Sequence, residues 1–243
     1  MKNKTILLGA LLASVISIPV QAALYNVQFG GSTFGSNQAP AQTGAGIIGT
    51  AGDTWNYVAA GGGYDYNALE GAGLALVNSA GAATTGVIKA NDDFVGAFAT
   101  VDAQLQGTSL ANLFQGFIVN NGGPKSFTFS GLAASSPFDL YTYAAGPADG
   151  GDRISNFSLF SDFSSFDIVG PNAGGTVLND PLNYSVLSGT TSSTGTVTVY
   201  TRFTAGSEGN INGFQLNVIP EPSSMALIGL GACGLLARRR RIA

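Results

Sequence analysis

Four short stretches of this 243-residue chain carry side chains able to do chemistry. The single tryptophan, Trp55, stands between Asp53 on one side and Asn56 and Tyr57 on the other. An indole face stacks on the apolar face of a sugar ring, while a carboxylate and an amide hydrogen-bond its hydroxyls. Asp53, Trp55 and Asn56 are therefore a candidate saccharide subsite. The competing reading is a core anchor, because aromatic side chains dominate protein interiors. Tyr64-Asp65-Tyr66 lies in a glycine-rich stretch and admits the same two readings for Tyr64 and Tyr66, sugar platform or loop packing. Asp92-Asp93 and Asp149-Gly150-Gly151-Asp152 offer the oxygens that calcium takes, but neither matches the spaced Asp-x-Asp-x-Asp-Gly loop that ends in Glu. We read them as turn aspartates and assign no metal and no cofactor, with Asp149 and Asp152 as the calcium candidates.

Composition removes much of the remaining chemistry. The chain has no histidine, so it holds no Ser-His-Asp triad, no Cys-His pair and no imidazole metal site. A glycosidase needs two carboxylates across a cleft, and their separation cannot be read from spacing along the chain. The expectation is a non-enzyme, with an Asp-dependent glycoside hydrolase as the remote alternative. Gly44 to Gly49 and Gly229 to Gly234 both spell G-x-G-x-x-G, but neither has a βαβ context, and 35 glycines produce such matches by accident. Cys233 is the only cysteine, so the fold closes without an internal disulfide. A formal charge of −4 with no basic stripe argues against nucleic acid as a partner.

The elements that must position these residues read as β throughout. Alternation of apolar and polar side chains predicts strands at Leu24–Phe29, Ser126–Ser130, Phe138–Tyr143, Ile154–Phe160, Thr196–Phe203 and Asn212–Val218. Turn-forming clusters separate them, as at Asn120-Asn121-Gly122-Gly123-Pro124. Short strands of this kind build a sandwich or barrel. Leu105, Leu110, Leu113 and Phe114 are spaced for a short helix, placed by this reading at one end of the sandwich. Residues 30–63 are rich in Gly, Ala, Gln and Asn and are predicted to be loops with short strands at most.

Both ends read as addresses. Lys2 and Lys4, the apolar run Thr5–Val20 and the small residues at Val20-Gln21-Ala22 form a secretory signal, cut by signal peptidase between Ala22 and Ala23. At the other end, Pro220-Glu221-Pro222 precedes the apolar stretch Met225–Ala237 and then Arg238, Arg239, Arg240 and Arg241. A helix over that stretch is about 20 Å long, a short span against a hydrocarbon core of about 30 Å. Arginines resist translocation, so they stay cytoplasmic and leave the Pro-Glu-Pro on the outer face. Proline at both flanks keeps the tripeptide extended, which suits recognition.

This tripeptide, the apolar segment and the terminal arginines together resemble the PEP-CTERM sorting signal. The resemblance implies export across the inner membrane of a Gram-negative bacterium that makes extracellular polysaccharide. It also implies processing by exosortase, a membrane transpeptidase. Signal peptidase, exosortase and the inner membrane are the partners it implies, with extracellular polysaccharide as a further one. The body is similar, more loosely, to galactose-binding-like jelly rolls. The stretches that carry this are Gln28-Phe29-Gly30, Asp53-Thr54-Trp55-Asn56, Leu74–Val77, Phe127–Leu132, Phe138–Tyr143 and Gly209–Leu216. No ligand residue of that family transfers to a position here.

The resulting expectation has three segments: a signal peptide at 1–22, an all-β, jelly-roll-like β-sandwich at 23–218, and a sorting signal with a single transmembrane helix at 219–243. Its role is at the cell surface or in the extracellular matrix, in association with exopolysaccharide or biofilm. The alternative is a lectin-like module with its sugar site at Trp55. Setting aside both end segments leaves Lys89, Lys125, Arg153 and Arg202 against 13 acids, a body near −9.

Overall fold

The computed structural model describes residues 23–31, 40–59, 69–92, 96–99, 105, 107–120, 122–146, 153–170, 183–205 and 208–219. The signal segment, residues 220–243 with the expected membrane helix, Tyr64, Tyr66, Asp149 and Asp152 lie outside these. Among the described residues no helix is long and apolar enough to cross a membrane.

The described chain is a sandwich of two main sheets. The first has five strands in the order β11 (Tyr184–Thr190), β8 (Pro137–Tyr143), β14 (Gly213–Val218), β1 (Ala23–Gly30) and β2 (Asn56–Ala59). The second has six: β10 (Asp167–Val169), β9 (Ile154–Ser158), β12 (Val197–Ala205), β7 (Lys125–Ser130), β4 (Ala83–Ala90) and β3 (Leu74–Val77). A third, smaller sheet joins β13 (Gly209–Ile211), β6 (Gly116–Asn120) and β5 (Gly96–Ala99). Pairing is antiparallel except between β1 and β2.

Alternation decides which side of each strand enters the core. Val27 and Phe29 of β1, with Phe214 and Leu216 of β14, face Ile88, Phe127, Phe129, Phe157 and Val199 from the six-stranded sheet. Phe214 is the hub: its ring lies 5.3 Å from Phe127, 5.6 Å from Phe29 and 5.9 Å from Phe129, each edge-on. Such edge-to-face geometry is the one favoured by ring quadrupoles. Ile118 and Ile211 bring the third sheet into the same core.

Two expectations shift. The strand predicted over Ile154–Phe160 stops at Ser158, where the Ser158 hydroxyl takes the Phe160 N–H at 2.8 Å and turns the chain. The predicted helix exists as a single turn, α1 (Ala111–Gln115), and it covers the outside of the five-stranded sheet instead of an end of the sandwich. Its Leu113 and Phe114 complete a second apolar cluster with Trp55, Leu105, Leu110, Tyr143 and Ala145.

Candidate functional site

Among the outward positions of β1 and β14, Leu24 and Asn217 are half-buried, while Asn26, Gln28 and Gln215 are fully buried. Their amides hold residues 40–55 and α1 onto the sheet. Gln28 Nε2 donates to the carbonyls of Pro40 (3.0 Å) and Asn112 (2.8 Å), and its oxygen accepts the Gln42 N–H at 2.6 Å. Gln42 reaches on to Ser109 and accepts from the Leu113 N–H. Gln215 Nε2 donates to Asn26 Oδ1 (2.8 Å) and to the Ile48 carbonyl (3.0 Å), and Tyr143 Oη donates to Gln215 Oε1 at 2.5 Å. Each amide thereby satisfies backbone groups that a buried loop would otherwise strand. Burial pushes the Tyr143 phenol well above its ordinary range.

The tryptophan subsite read from sequence lies inside this layer. Trp55 is 6 % exposed, its ring packs beside Tyr143, and its Nε1 donates to the Gly44 carbonyl at 2.7 Å. Asp53 accepts from Thr50 Oγ1 at 2.7 Å, and Asn56 ties β2 to β3 through both atoms of its amide. Of the two readings of Trp55, the placement is that of the core anchor: neither ring face is open to a sugar. The physical reason is the amide layer, which brings a loop over what strand alternation alone leaves as a surface.

The open face is on the other sheet. Inward Val197, Val199 and Thr201 of β12 alternate with Thr198, Tyr200, Arg202 and Thr204, and inward Phe127 and Phe129 of β7 alternate with Ser126, Thr128 and Ser130. Register sets Lys89, Thr128 and Thr198 in one row across β4, β7 and β12. The next row holds Ser126 and Tyr200, followed by Arg202, Asn156 and Ile168. Hydroxyls and amides along these rows are mutually oriented: Thr128 and Thr198 share a hydrogen bond at 3.1 Å, and Asn91 donates to Thr128 at 2.9 Å and to Ser126 at 3.1 Å. Asp92 fixes Ser126 by accepting its N–H at 2.8 Å. The accessible strip of these rows, Thr128, Thr198 and Tyr200 with the cations Lys89 and Arg202, is suited to hydrogen-bonding a polyhydroxylated surface, while Ser126 and Asn156 beside it are buried.

No group of three or more metal-type ligands occurs among the described residues. Sequence reasoning missed this strip as a site, although the strands that carry it were legible. The outward Thr, Ser and Tyr residues look like any solvated strand face until register shows that they align.

Residues 218–241 match the PEP-CTERM protein-sorting motif, so the chain carries that motif, which implies export and processing by exosortase at the membrane of Gram-negative bacteria. No curated protein matches the chain. Among solved structures, a ruminal GH26 endo-β-1,4-mannanase is 15 % identical at a TM-score of 0.33, over 56 % of this chain and 26 % of its own. The enzymatically active domain of bacteriophage CBA120 tailspike protein 4 is 13 % identical at a TM-score of 0.23, over 56 % and 19 %. The chain thus spans about a quarter of the mannanase and a fifth of the tailspike domain. At these TM-scores neither likeness bears on substrate or activity.

Proposed function

We propose that this protein is a secreted, surface-sorted β-sandwich that associates with extracellular polysaccharide and works by binding, not by catalysis. The observation that carries the reading is the sorting motif at 218–241. The open hydroxyl strip of the six-stranded sheet supplies a face of the right chemistry, and the absence of histidine from the sequence removes the commonest general base.

The test uses the full chain expressed in an exopolysaccharide-producing Gram-negative host that has exosortase. Mass spectrometry of the extracellular form should find a chain that begins at Ala23 and lacks Arg238 to Arg241, and the protein should co-fractionate with the polysaccharide. A surface form that retains Arg238, or one that leaves the polysaccharide fraction in low salt, overturns the reading. Replacing Pro220 and Pro222 by alanine should leave the chain in the membrane fraction.

A further inference from the structure

Four large apolar side chains are exposed among the described residues, and three of them lie close along the chain: Phe160 (53 %), Phe166 (38 %) and Ile168 (46 %). They belong to β10 and to the turn that joins it to β9. The turn folds onto the end of the hydroxyl strip, where it meets Arg202. The Arg202 guanidinium carbon lies 4.2 Å from the centre of the Phe163 ring and 5.2 Å from that of Phe166.

The turn is held in a defined shape. Ser158 Oγ donates to the Ser165 carbonyl at 2.6 Å, the Phe163 N–H reaches the Phe160 carbonyl at 3.1 Å, and Asp162 accepts the Ser164 N–H at 2.9 Å. Phe163 takes a φ of +53°, left-handed backbone that is costly for a bulky residue, and its buried ring then forms the floor under the guanidinium. Strain kept at one residue of a well-bonded turn is a signature of an arrangement that the rest of the fold enforces.

Charge makes the site distinctive. The other arginine of the body, Arg153, pairs with Glu208 at 3.1 Å. Among the described residues no carboxylate lies within ion-pair distance of Arg202, and its Nε is buried with no hydrogen-bond partner. No described acid pairs with this guanidinium, which is stacked on phenylalanines instead. The nearby acids are directed elsewhere: Asp162 is bound to Ser164, and Asp167 pairs in register with Phe157, on the opposite side of β10 from Ile168.

We propose that Arg202, stacked on Phe163 and Phe166, is a binding site for carboxylate-bearing sugars of an acidic polysaccharide. A stacked guanidinium is a rigid fork for a carboxylate. The half-exposed Phe166 ring offers a face to the C–H side of the sugar, and Tyr200 and Thr198 extend the site with hydroxyls along the strip. A second protein fits less well, since stable interfaces take roughly 20–30 residues a side and the apolar part here is one turn and its strand. This inference rests on the polysaccharide reading above and names the class of polymer.

The full chain in detergent micelles is run in native gels containing polygalacturonate, its carboxyl-reduced neutral product, or dextran. Polygalacturonate should retard it in low salt, with retardation fading as ionic strength rises, and neither neutral polymer should do so. Arg202→Gln should weaken the apparent affinity about tenfold or more, and Arg202→Lys less, because the ammonium lacks the planar fork. Phe166→Ala, which removes the ring 5.2 Å from the guanidinium, should weaken it at least about threefold, as expected for loss of a stacking face. Equal retardation of wild type and both the Arg202→Gln and Phe166→Ala variants overturns the site while leaving polysaccharide binding intact. Retardation by the carboxyl-reduced polymer as strong as by polygalacturonate overturns the acidic specificity. Retardation by no polymer overturns the site and the polysaccharide reading together, and self-association lost in Phe166→Ala overturns the site by assigning the patch to a second copy.

Discussion

The two sheets of this sandwich share one core but treat their outer faces in opposite ways. The five-stranded sheet buries both sides at its central strands, the outer one under a loop layer fixed by the amides of Asn26, Gln28, Gln42 and Gln215, while Ser188 of β11 stays exposed. The six-stranded sheet leaves its outer side as a strip of hydroxyls with a cation and aromatic rings at one end. The lesson is that a polar residue at an outward strand position has two uses, binding backbone from a covering segment or binding something outside the molecule. Amides, with paired donors and acceptors, serve the first here, and hydroxyls on the open face are left for the second.

Substitutions should separate the two faces sharply. Gln215→Ala removes the acceptor of Tyr143 and the donor to Asn26 and Ile48, leaving several buried groups unpaired. Urea unfolding should show a loss of about 3 kcal/mol. Alkaline pH attacks the same layer. Below pH 10 the Tyr143 phenol is protonated in both folded and unfolded chains. Above it the unfolded chain ionises first, since burial holds the folded phenol protonated. Stability should therefore fall by about 1.4 kcal/mol per pH unit for this group as pH climbs past 10, a slope that Tyr143→Phe should remove.

Trp55→Phe should cost about 1–2 kcal/mol, through loss of the bond to the Gly44 carbonyl. As the only tryptophan, Trp55 should emit at short wavelength, resist acrylamide quenching and stay unchanged when polysaccharide is added. A binding-induced shift in its emission would move the site back to the covered sheet. On the open face, Thr198→Ala should change stability by no more than about 0.5 kcal/mol. A larger loss there would mean that the hydroxyl strip belongs to the scaffold, and the contrast between the faces would collapse.

Much of the scaffold was legible in the sequence. The strands over Leu24–Phe29, Phe138–Tyr143 and Thr196–Phe203 follow from alternation, because in these strands one face borders the shared core and the period of two survives. What alternation does not reveal is a cover. Asn26 and Gln28 look solvated, and only contacts with Thr54 and Gln215 for the first, and with Pro40, Gln42 and Asn112 for the second, make them interior. The tryptophan was misleading for the same reason, since its neighbours Asp53 and Asn56 hydrogen-bond local backbone and Thr50 as readily as they would a sugar. The Arg202 corner was invisible because it depends on a left-handed residue, Phe163, that nothing in the local sequence announces.

The first and last strands of the body are neighbours: Ala23 pairs with Val218, and Asn26 with Gln215. That adjacency governs when the molecule becomes folded, as well as what it looks like. The centre of the five-stranded sheet, and the amide layer that depends on Gln215, cannot close until the last strand is present. Contacts this distant along the chain form slowly. A chain threaded through a membrane from its N-terminus thus stays open for most of its passage and completes its sheet only when the segment just before Pro220 has arrived.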